Sequence, residues 1–250
     1  TAQDRSLEVN EPTVTTTSDT NDEVQELTVT TTSDTNDGVC DSDCSLRDAV
    51  LVANASLQQA VIEVPAGTYT LVIGELIFRA GITLAGAGAE ETIIQAATSP
   101  GIANDRVINF AIGLGDLIGN PDYEYKGLGT EVFISGVTIR HGSVDTGGGG
   151  IKISGTVTVT LTDVTVRNTV GDGISLLDLE GRIRLLGVTV EGVGGNGVTA
   201  IGGDAVIADN VRLRDNGGHG FVRADGEVFL ANSELIGNGA AIAGYDLWLR

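Results

Sequence analysis

A short pattern repeats about every 23 residues through the second half of the chain. The segments GVTIR, DVTVR, GVTVE and NVRLR begin at residues 136, 163, 187 and 210, and each leads into a glycine-rich stretch and another run of alternating apolar residues. One such unit is too small to bury its own apolar side chains, so the units must stack on one another. The repeat therefore predicts a solenoid.

Apolar residues alternate within each repeated segment, which places them on one face of a strand. Val137 and Ile139, for example, should share a face with Val164 and Val166 one repeat later. Stacking sets equivalent positions about 4.8 Å apart, the spacing of hydrogen-bonded strands. The glycine-rich corners suit the tight bends between strands. We expect an all-β protein that folds as a right-handed, single-stranded parallel β-helix.

The domain organisation follows from where this pattern begins. Residues 61–250 should form the β-helix, and 113–130 interrupt its period and should protrude as an irregular loop. Residues 28–60 should contain the first strand, a disulfide loop and a capping helix. Residues 1–27 form a polar N-terminal extension.

The segment SLRDAVLVANAS (45–56) predicts a short α-helix. Ser45 is a good N-cap residue, and Asp48 stands where a capping-box acid belongs. A helix before the first coil should act as a lid, because an open strand edge would otherwise recruit other strands.

The two cysteines, Cys40 and Cys44, lie four residues apart in CDSDC. A small disulfide loop is favoured over a zinc site, since zinc needs further Cys or His ligands. A disulfide indicates an oxidising compartment, so we expect a secreted or cell-surface protein. No apolar run approaches the roughly 20 residues of a membrane-spanning helix.

The segment VTTTSDTNDGVCDSDCSLRDAVLVANA (29–55) resembles the N-terminal segment of secreted bacterial β-helix proteins with a CSLREA motif; this chain has CSLRDA. The likeness continues through VPAGTYTL and the glycine-rich corners, over roughly residues 28–250. The resemblance implies the β-helix fold and export but no particular activity. The same superfold also carries pectate-lyase-like enzymes.

The formal net charge of −20 disfavours nucleic acid as a partner. Four of the acids crowd the cysteine loop, where their oxygens could hold calcium, although the spacing is not that of an EF-hand. These are Asp34, Asp37, Asp41 and Asp43. A solvated turn is the alternative, and no other cofactor is expected.

The sequence TVTTTSDTND occurs twice, at residues 13–22 and 28–37. The second copy should form the first strand beside the cap, which leaves the first copy as a spare strand. At the other end the last predicted strand, Leu247–Arg250, should have a bare edge. Near it, an outward column is expected to become apolar; it comprises Thr158, Arg184, Val206, Phe229 and Trp248.

These ends suggest that the spare strand of one molecule pairs with the bare edge of the next, which would build a head-to-tail filament or surface layer. The expected interface residues are Thr13, Val14, Thr15, Thr16, Thr17, Phe229, Leu247, Trp248 and Leu249. An extra strand within the molecule and a disordered leader remain alternatives.

The competing hypothesis is a protein that binds a glycan or degrades a polysaccharide in the manner of a lyase. Loop residues Tyr123, Tyr125 and Lys126 are candidate glycan contacts. An outward column of Arg140, Arg167, Glu191 and Arg214 suggests either a basic groove or a self-neutralising ladder. Another column, Gly149, Asp172, Asn196 and His219, resembles a catalytic set but is better interpreted as corner chemistry. No convincing catalytic cluster emerges, so an enzyme is the less favoured interpretation.

Overall fold

The computed structural model describes residues 24–56, 59–79, 81–111, 130–155, 157–244 and 247–249. Within these ranges the chain forms one helix and 21 strands, all of whose pairings are parallel. The predicted all-β fold, a right-handed parallel β-helix with a short N-terminal helix, is confirmed.

The elements follow in chain order. They are β1 (Gln25–Thr28), α1 (Leu46–Ala55), β2 (Ala60–Val64), β3 (Gly67–Thr70), β4 (Leu76–Phe78), β5 (Ile82–Gly86), β6 (Thr92–Gln95), β7 (Ile108–Ala111), β8 (Thr130–Arg140), β9 (Ser143–Ser154), β10 (Val157–Arg167), β11 (Val170–Leu179), β12 (Ile183–Leu186), β13 (Thr189–Glu191), β14 (Val198–Gly202), β15 (Ala205–Asp209), β16 (Arg212–Arg214), β17 (His219–Arg223), β18 (Glu227–Ala231), β19 (Glu234–Ile236), β20 (Ala240–Gly244) and β21 (Leu247–Leu249).

Three walls run along the axis. Wall 1 has the order β1-β2-β5-β8-β10-β12-β15-β18-β21, and wall 3 has the order β4-β7-β9-β11-β14-β17-β20. Wall 2 contains β3, β6, β13, β16 and β19 together with the C-terminal halves of β8 and β10. The two long strands bend from wall 1 into wall 2 and join these walls into one sheet.

The interior is a set of apolar columns. Ile139 pairs in register with Val166 and Val166 with Val190, and all three are fully buried, as the alternation predicts. In wall 3 the rings of Phe78 and Phe110 stack at 4.3 Å on consecutive coils. Burial of such columns by neighbouring coils is what makes a solenoid stable.

The predicted outward column of wall 1 is wrong at two positions. Thr160, and not Thr158, is in register with Arg184. Val206 is fully buried between Ile183 and Val228, and Ile207 takes the outward place next to Phe229. The segment DAVIA has two large apolar residues side by side, so alternation cannot say which one points inward. Ile207 and Phe229 are 39% and 36% exposed.

Residues with left-handed backbone angles stack at two corners. The first corner, between walls 1 and 2, has positive φ at Gly136, Asp163, Gly187, Asn210 and Asn232. The second corner, between walls 2 and 3, has positive φ at His141, Asn168, Gly192, Asp215 and Gly237. Gly, Asn and Asp tolerate this conformation best, which explains why they recur with the period of the coil.

The cap contains the predicted helix and disulfide. Helix α1 begins after Ser45, whose hydroxyl oxygen accepts from the Asp48 amide, and Cys40 is bonded to Cys44. The second TVTTTSDTND copy does not form the first strand, contrary to the prediction. Strand β1 ends at Thr28, and the rest of the copy is a loop held by α1, because its side chains find partners there.

Arg47 and Asp48 fasten that loop. The Arg47 guanidinium lies 2.7 and 3.1 Å from the two carboxylate oxygens of Asp34 and also donates to the carbonyls of Gly74 and Glu75. Asp48 accepts hydrogen bonds from Ser45, Thr35 and the amides of 37 and 38. Burial opposes ionisation of Asp48, but these bonds outweigh it and lower its pKa. The polar residues of CSLRDA are therefore structural.

Helix α1 spans only ten residues, and none of the described helical structure is long and apolar enough to cross a membrane. The division of the chain into an extension, a cap and a coil stays a prediction; β1 straddles its first boundary at residue 28.

Candidate functional site

A column of polar side chains follows the outer face of wall 2. Gln95, Arg140, Arg167, Glu191 and Arg214 occupy equivalent positions on β6, β8, β10, β13 and β16. The repeat period predicted the alignment of the last four residues, and the strand register confirms it. Adjacent members are one strand spacing apart, about 4.8 Å.

Two arginines are next to each other in this column. Arg140 Nε donates to Gln95 Oε1 at 2.7 Å, and Gln95 Nε2 in turn donates to Thr70. Arg167 Nε is buried and has no hydrogen-bond partner among the described residues. Burial and the neighbouring charge of Arg167 lower the pKa of Arg140. The pair is a local excess of positive charge.

The expected neutralising ladder does not form between the arginines and Glu191. Within the described ranges, Glu191 makes no ion pair with Arg167 or Arg214, and Arg214 instead pairs with Glu234 on β19. Arg140 and Arg167 therefore lack a carboxylate partner among the described residues, which leaves their charges available to a ligand.

His141 follows Arg140 and lies at the second corner with a φ of 63°. Its Nδ1 is 2.9 Å from the Ala97 carbonyl oxygen. That oxygen can only accept, so Nδ1 carries the proton and the lone pair is on Nε2. Burial lowers the pKa of His141, with smaller effects of Arg140 and Arg167 in the same direction, while the bond to Ala97 partly opposes the shift.

Beside the arginine column, the second corner forms an open groove of about 460 Å³. Three successive coils supply its floor through residues 168–170, 192–194, Asp215 and Gly217. Pro100 and Gly101 contribute its opposite side. They belong to the loop between β6 and β7, whose start is fastened by the hydrogen bond from His141 to Ala97. We call this surface the corner groove.

The corner groove is shallow, and its lining mixes apolar residues such as Val170 and Val193 with polar ones. Gly192, Gly194 and Gly217 line its floor, and Asn168 and Asp215 offer hydrogen-bonding side chains. Thr169 is buried, and its hydroxyl has no partner among the described residues. The arrangement suits an elongated ligand with many hydroxyl groups and some negative charge.

The column of Asp172, Asn196 and His219 does not serve the backbone conformation of a corner, because none of the three residues has a positive φ; its acid and amide form structural hydrogen bonds instead. Asp172 Oδ1 accepts from the Asn196 amide at 2.8 Å, and Asn196 Oδ1 accepts from the His219 amide at 2.8 Å. Asp172 Oδ2 accepts from the Thr199 hydroxyl at 2.7 Å. The side chains of Asp172 and Asn196 thus each satisfy an amide of the next coil, whereas His219 Nδ1 is buried and has no hydrogen-bond partner among the described residues. The position predicted for Gly149 differs, since Gly148 is the residue in register with Asp172.

The acidic residues in and near the cysteine loop interact with different groups. Asp34 is paired with Arg47 and also accepts from the amides of Val72 and Ile73. The neighbouring carboxylate of Asp41 raises the pKa of Asp43. No group of three or more metal-ligating side chains occurs within the described ranges. The calcium site stays a prediction, and identical melting midpoints in calcium and in chelator would contradict it.

Several predicted interface residues cannot be compared with the structure. The interface residues 13–17 and the proposed glycan contacts Tyr123, Tyr125 and Lys126 lie outside the described residues. Strand β21 pairs with β18 on one side, and its other edge has no partner strand in the described part of the chain.

Sequence reasoning missed His141 and the loop that carries Pro100. Ala97 and His141 are 44 residues apart, and no repeat connects them. A histidine directly after an outward arginine, at a corner where glycine or asparagine is usual, was the one available signal.

Comparison with known proteins identifies a protein family that matches most of the chain. The family model described as rhamnogalacturonase A/epimerase, pectate lyase-like, matches residues 27–216. None of the curated proteins compared with the chain matches it.

Three solved structures are similar to this chain at low sequence identity. The A-module of mannuronan C-5 epimerase AlgE6 from Azotobacter vinelandii is 17% identical over 85% of this chain and 72% of that one, with a TM-score of 0.44. The AlgE4 A-module from the same organism is 16% identical over 86% and 74%, with a TM-score of 0.41. ORF18 of Geobacillus virus E2 is 13% identical over 89% and 61%, with a TM-score of 0.40.

Proposed function

Because the chain belongs to the rhamnogalacturonase A/epimerase, pectate-lyase-like family, we propose that it binds a polysaccharide that carries carboxylate groups. The polysaccharide would lie along the solenoid axis, over the outer face of wall 2 and the corner groove. Secretion, which the disulfide also favours, would bring the protein to such a ligand.

The observation that carries this proposal is the arginine pair. Arg140 and Arg167 lie on consecutive strands, and neither has a carboxylate partner among the described residues. Guanidinium groups bind carboxylates through paired, charge-assisted hydrogen bonds. Their strand spacing of about 4.8 Å is close to the length of one sugar residue along a chain, so successive carboxylates would meet successive arginines.

The corner groove supplies the remaining contacts. A sugar ring would lie on its open floor, where Asn168 and Asp215 can exchange hydrogen bonds with hydroxyl groups. Wide, shallow sites of this kind gain affinity from several weak contacts along the ligand.

The net charge of −20 opposes the approach of a polyanion at long range. Salt weakens this repulsion, and it also weakens the contacts with the arginines. The difference between two variants at one salt concentration is therefore a better measure than the absolute affinity.

The test is calorimetric or electrophoretic binding to a polyuronate and to a neutral polysaccharide. Arg167→Gln should weaken polyuronate binding by about tenfold or more, the value of one lost charge-assisted hydrogen bond. The matched control is Arg184→Gln, which removes an exposed arginine on wall 1 and should leave binding unchanged. Equal losses from both variants would contradict the site, and no binding by the parent protein would contradict the function.

The lyase-like activity stays a prediction. A panel of acidic polysaccharides, followed by the ultraviolet absorbance of unsaturated products, would test it. If unsaturated products form and Arg167→Gln forms fewer of them, the corner groove is an active site. If the protein binds the polysaccharide but forms no product, the groove serves recognition alone.

The head-to-tail filament also stays a prediction. The edge of β21 that has no partner strand among the described residues would be one half of the contact, and the other half, residues 13–17, lies outside those residues. Electron microscopy of the purified protein would show monodisperse particles if the hypothesis is wrong.

A further inference from the structure

The N-terminal duplication is longer than the ten identical residues suggest. Residues 8–22 and 23–37 form a tandem repeat, EVNEPTVTTTSDTND followed by EVQELTVTTTSDTND, which is identical at 13 of 15 positions. The two differences are Asn10 against Gln25 and Pro12 against Leu27. We call these segments repeat 1 and repeat 2.

Repeat 2 is bound by a surface that we call the cradle, formed by β2, α1, the cysteine loop and the turn at 72–73. Its main anchor is Asp34, which accepts from Nε and Nη2 of Arg47 and from the amides of Val72 and Ile73 at 2.6 and 2.9 Å. The side chain of Asp34 is only 3% exposed.

Other side chains of repeat 2 make further contacts with the cradle. Thr30 donates to the Ser42 carbonyl, and Thr35 donates to Asp48 at 2.8 Å. Val29 is 1% exposed, and its amide donates to Glu63 of β2.

Every one of these contact residues recurs in repeat 1 at the equivalent position. The counterparts of Val29, Thr30, Asp34 and Thr35 are Val14, Thr15, Asp19 and Thr20. The cradle therefore has no means of distinguishing the two repeats through these residues.

One position does distinguish them. Leu27 is 8% exposed; on either side of it, the Gln25 amide donates to the carbonyl of Gln59, just before β2, and the Val29 amide donates to Glu63 of β2. In a parallel ladder every second residue of a strand bonds to the same neighbouring strand, so the Leu27 amide should also donate to β2. Pro12 would occupy this place in repeat 1, where it has no amide hydrogen and a smaller apolar side chain. Repeat 2 is favoured for this reason.

We propose that the cradle accepts either repeat, so that repeat 1 can replace repeat 2 within the same chain. In the exchanged state repeat 1 would lie in the cradle, with Asp22 in the place of Asp37 beside Gly38. Repeat 2 would then form a loop of 15 residues that connects Asp22 to Gly38. The entropic cost of such a loop grows only slowly with its length. The exchange keeps the edge of the first coil covered when either repeat is released.

Hydrogen exchange of the full chain, followed by mass spectrometry, tests the proposal in the variant Pro12→Leu. The substitution leaves repeat 2 and the cradle intact, so the protein still folds. It makes the repeats nearly equivalent, and protection of repeat 2 should fall by about tenfold or more, while peptides of repeat 1 gain protection. The control is Asn10→Gln, the other position of difference, which should leave repeat 2 as it is in the parent protein.

A second measurement uses thermal unfolding in the Pro12→Leu background. Asp19→Ala and Asp34→Ala should each shift the melting midpoint by only about 1–2 °C, because the other repeat takes over. The double substitution should lower the melting midpoint by roughly 5–10 °C. Arg47→Ala should have a similar effect, because it removes the guanidinium that would bind either aspartate.

Three outcomes would overturn the proposal. They are unchanged protection of repeat 2 in Pro12→Leu, additive effects of the two aspartate substitutions, and a dependence of the exchange on protein concentration. The last would indicate that a second molecule supplies the segment.

Discussion

His141 Nδ1 lies 2.9 Å from the carbonyl oxygen of Ala97 and so connects the second corner to the loop that leads to Pro100. The imidazole is 7% exposed and faces the guanidinium groups of Arg140 and Arg167. Since burial and both charges disfavour its protonated form, the histidine should stay neutral at pH 7. This contact fixes one side of the corner groove.

Acid should destabilise the protein through His141. Its folded pKa is lowered below the unfolded value of 6.5, so between the two values the unfolded state binds more protons. The contribution of His141 is complete above pH 6.5 and is lost as the pH falls through the folded pKa. His141→Asn, which tolerates the left-handed backbone, should flatten the pH dependence of the unfolding free energy below 6.5.

The chain has two histidines, which makes the matching NMR experiment simple. The imidazole signal that disappears in His141→Asn should titrate below 6.5 in the parent protein. Titration at or above 6.5 would contradict the burial argument.

Loss of the Arg47 guanidinium should lower the free energy of unfolding substantially. Arg47→Ala leaves buried Asp34 without its ion pair and frees the carbonyls of Gly74 and Glu75, so unfolding free energy should fall by about 3–5 kcal/mol. Arg47→Lys keeps the charge but loses the paired geometry and should lie in between. Urea unfolding measures both, and a change below about 0.5 kcal/mol for Arg47→Ala would contradict a structural role for this motif residue.

The corner columns predict a backbone effect at Asn210, which is exposed and has a φ of 54°. Asn210→Val should cost about 1–2 kcal/mol, since a β-branched residue is strained there. Asn210→Gly should be within about 0.5 kcal/mol of the parent protein. Equal effects of the two substitutions in thermal unfolding would show that the left-handed angle is unimportant.

Asp172 should matter for stability and not for ligand binding. Asp172→Ala removes the acceptor of the Asn196 amide and of the Thr199 hydroxyl, which should cost about 1–3 kcal/mol. Asp172→Asn keeps one acceptor oxygen and should cost less. Polyuronate binding by the folded Asp172→Ala protein should equal that of the parent, and a selective loss of binding would return Asp172 to the list of functional residues.

The coil was predictable wherever a single apolar face repeats. Val137, Ile139, Val164 and Val166 alternate with polar residues, and each pair is buried in register with the next. The helix and disulfide were predictable because Ser45 and the two cysteines act through neighbours in sequence.

Prediction failed where two assignments fit the sequence equally well. Val206 and Ile207 are both apolar, and only stacking on Ile183 and Val228 places Val206 inside. The second TVTTTSDTND copy has the threonines of a strand, yet Asp34 and Thr35 find partners on α1, and these contacts decide its path as a loop. Tertiary contacts override a weak strand propensity.

The sequence by itself determined the repeating coil, because burial of alternating apolar residues and the backbone angles of the corners depend on residues close together in the chain. The candidate site depends on contacts between distant segments. Arg140 and Arg167 form a pair without a carboxylate partner in the described part of the chain, and His141 holds the loop from Ala97, only because the coil brings residues dozens of positions apart to one surface. Side-chain pairing across coils is a property of three-dimensional distances, which the repeat period alone does not specify.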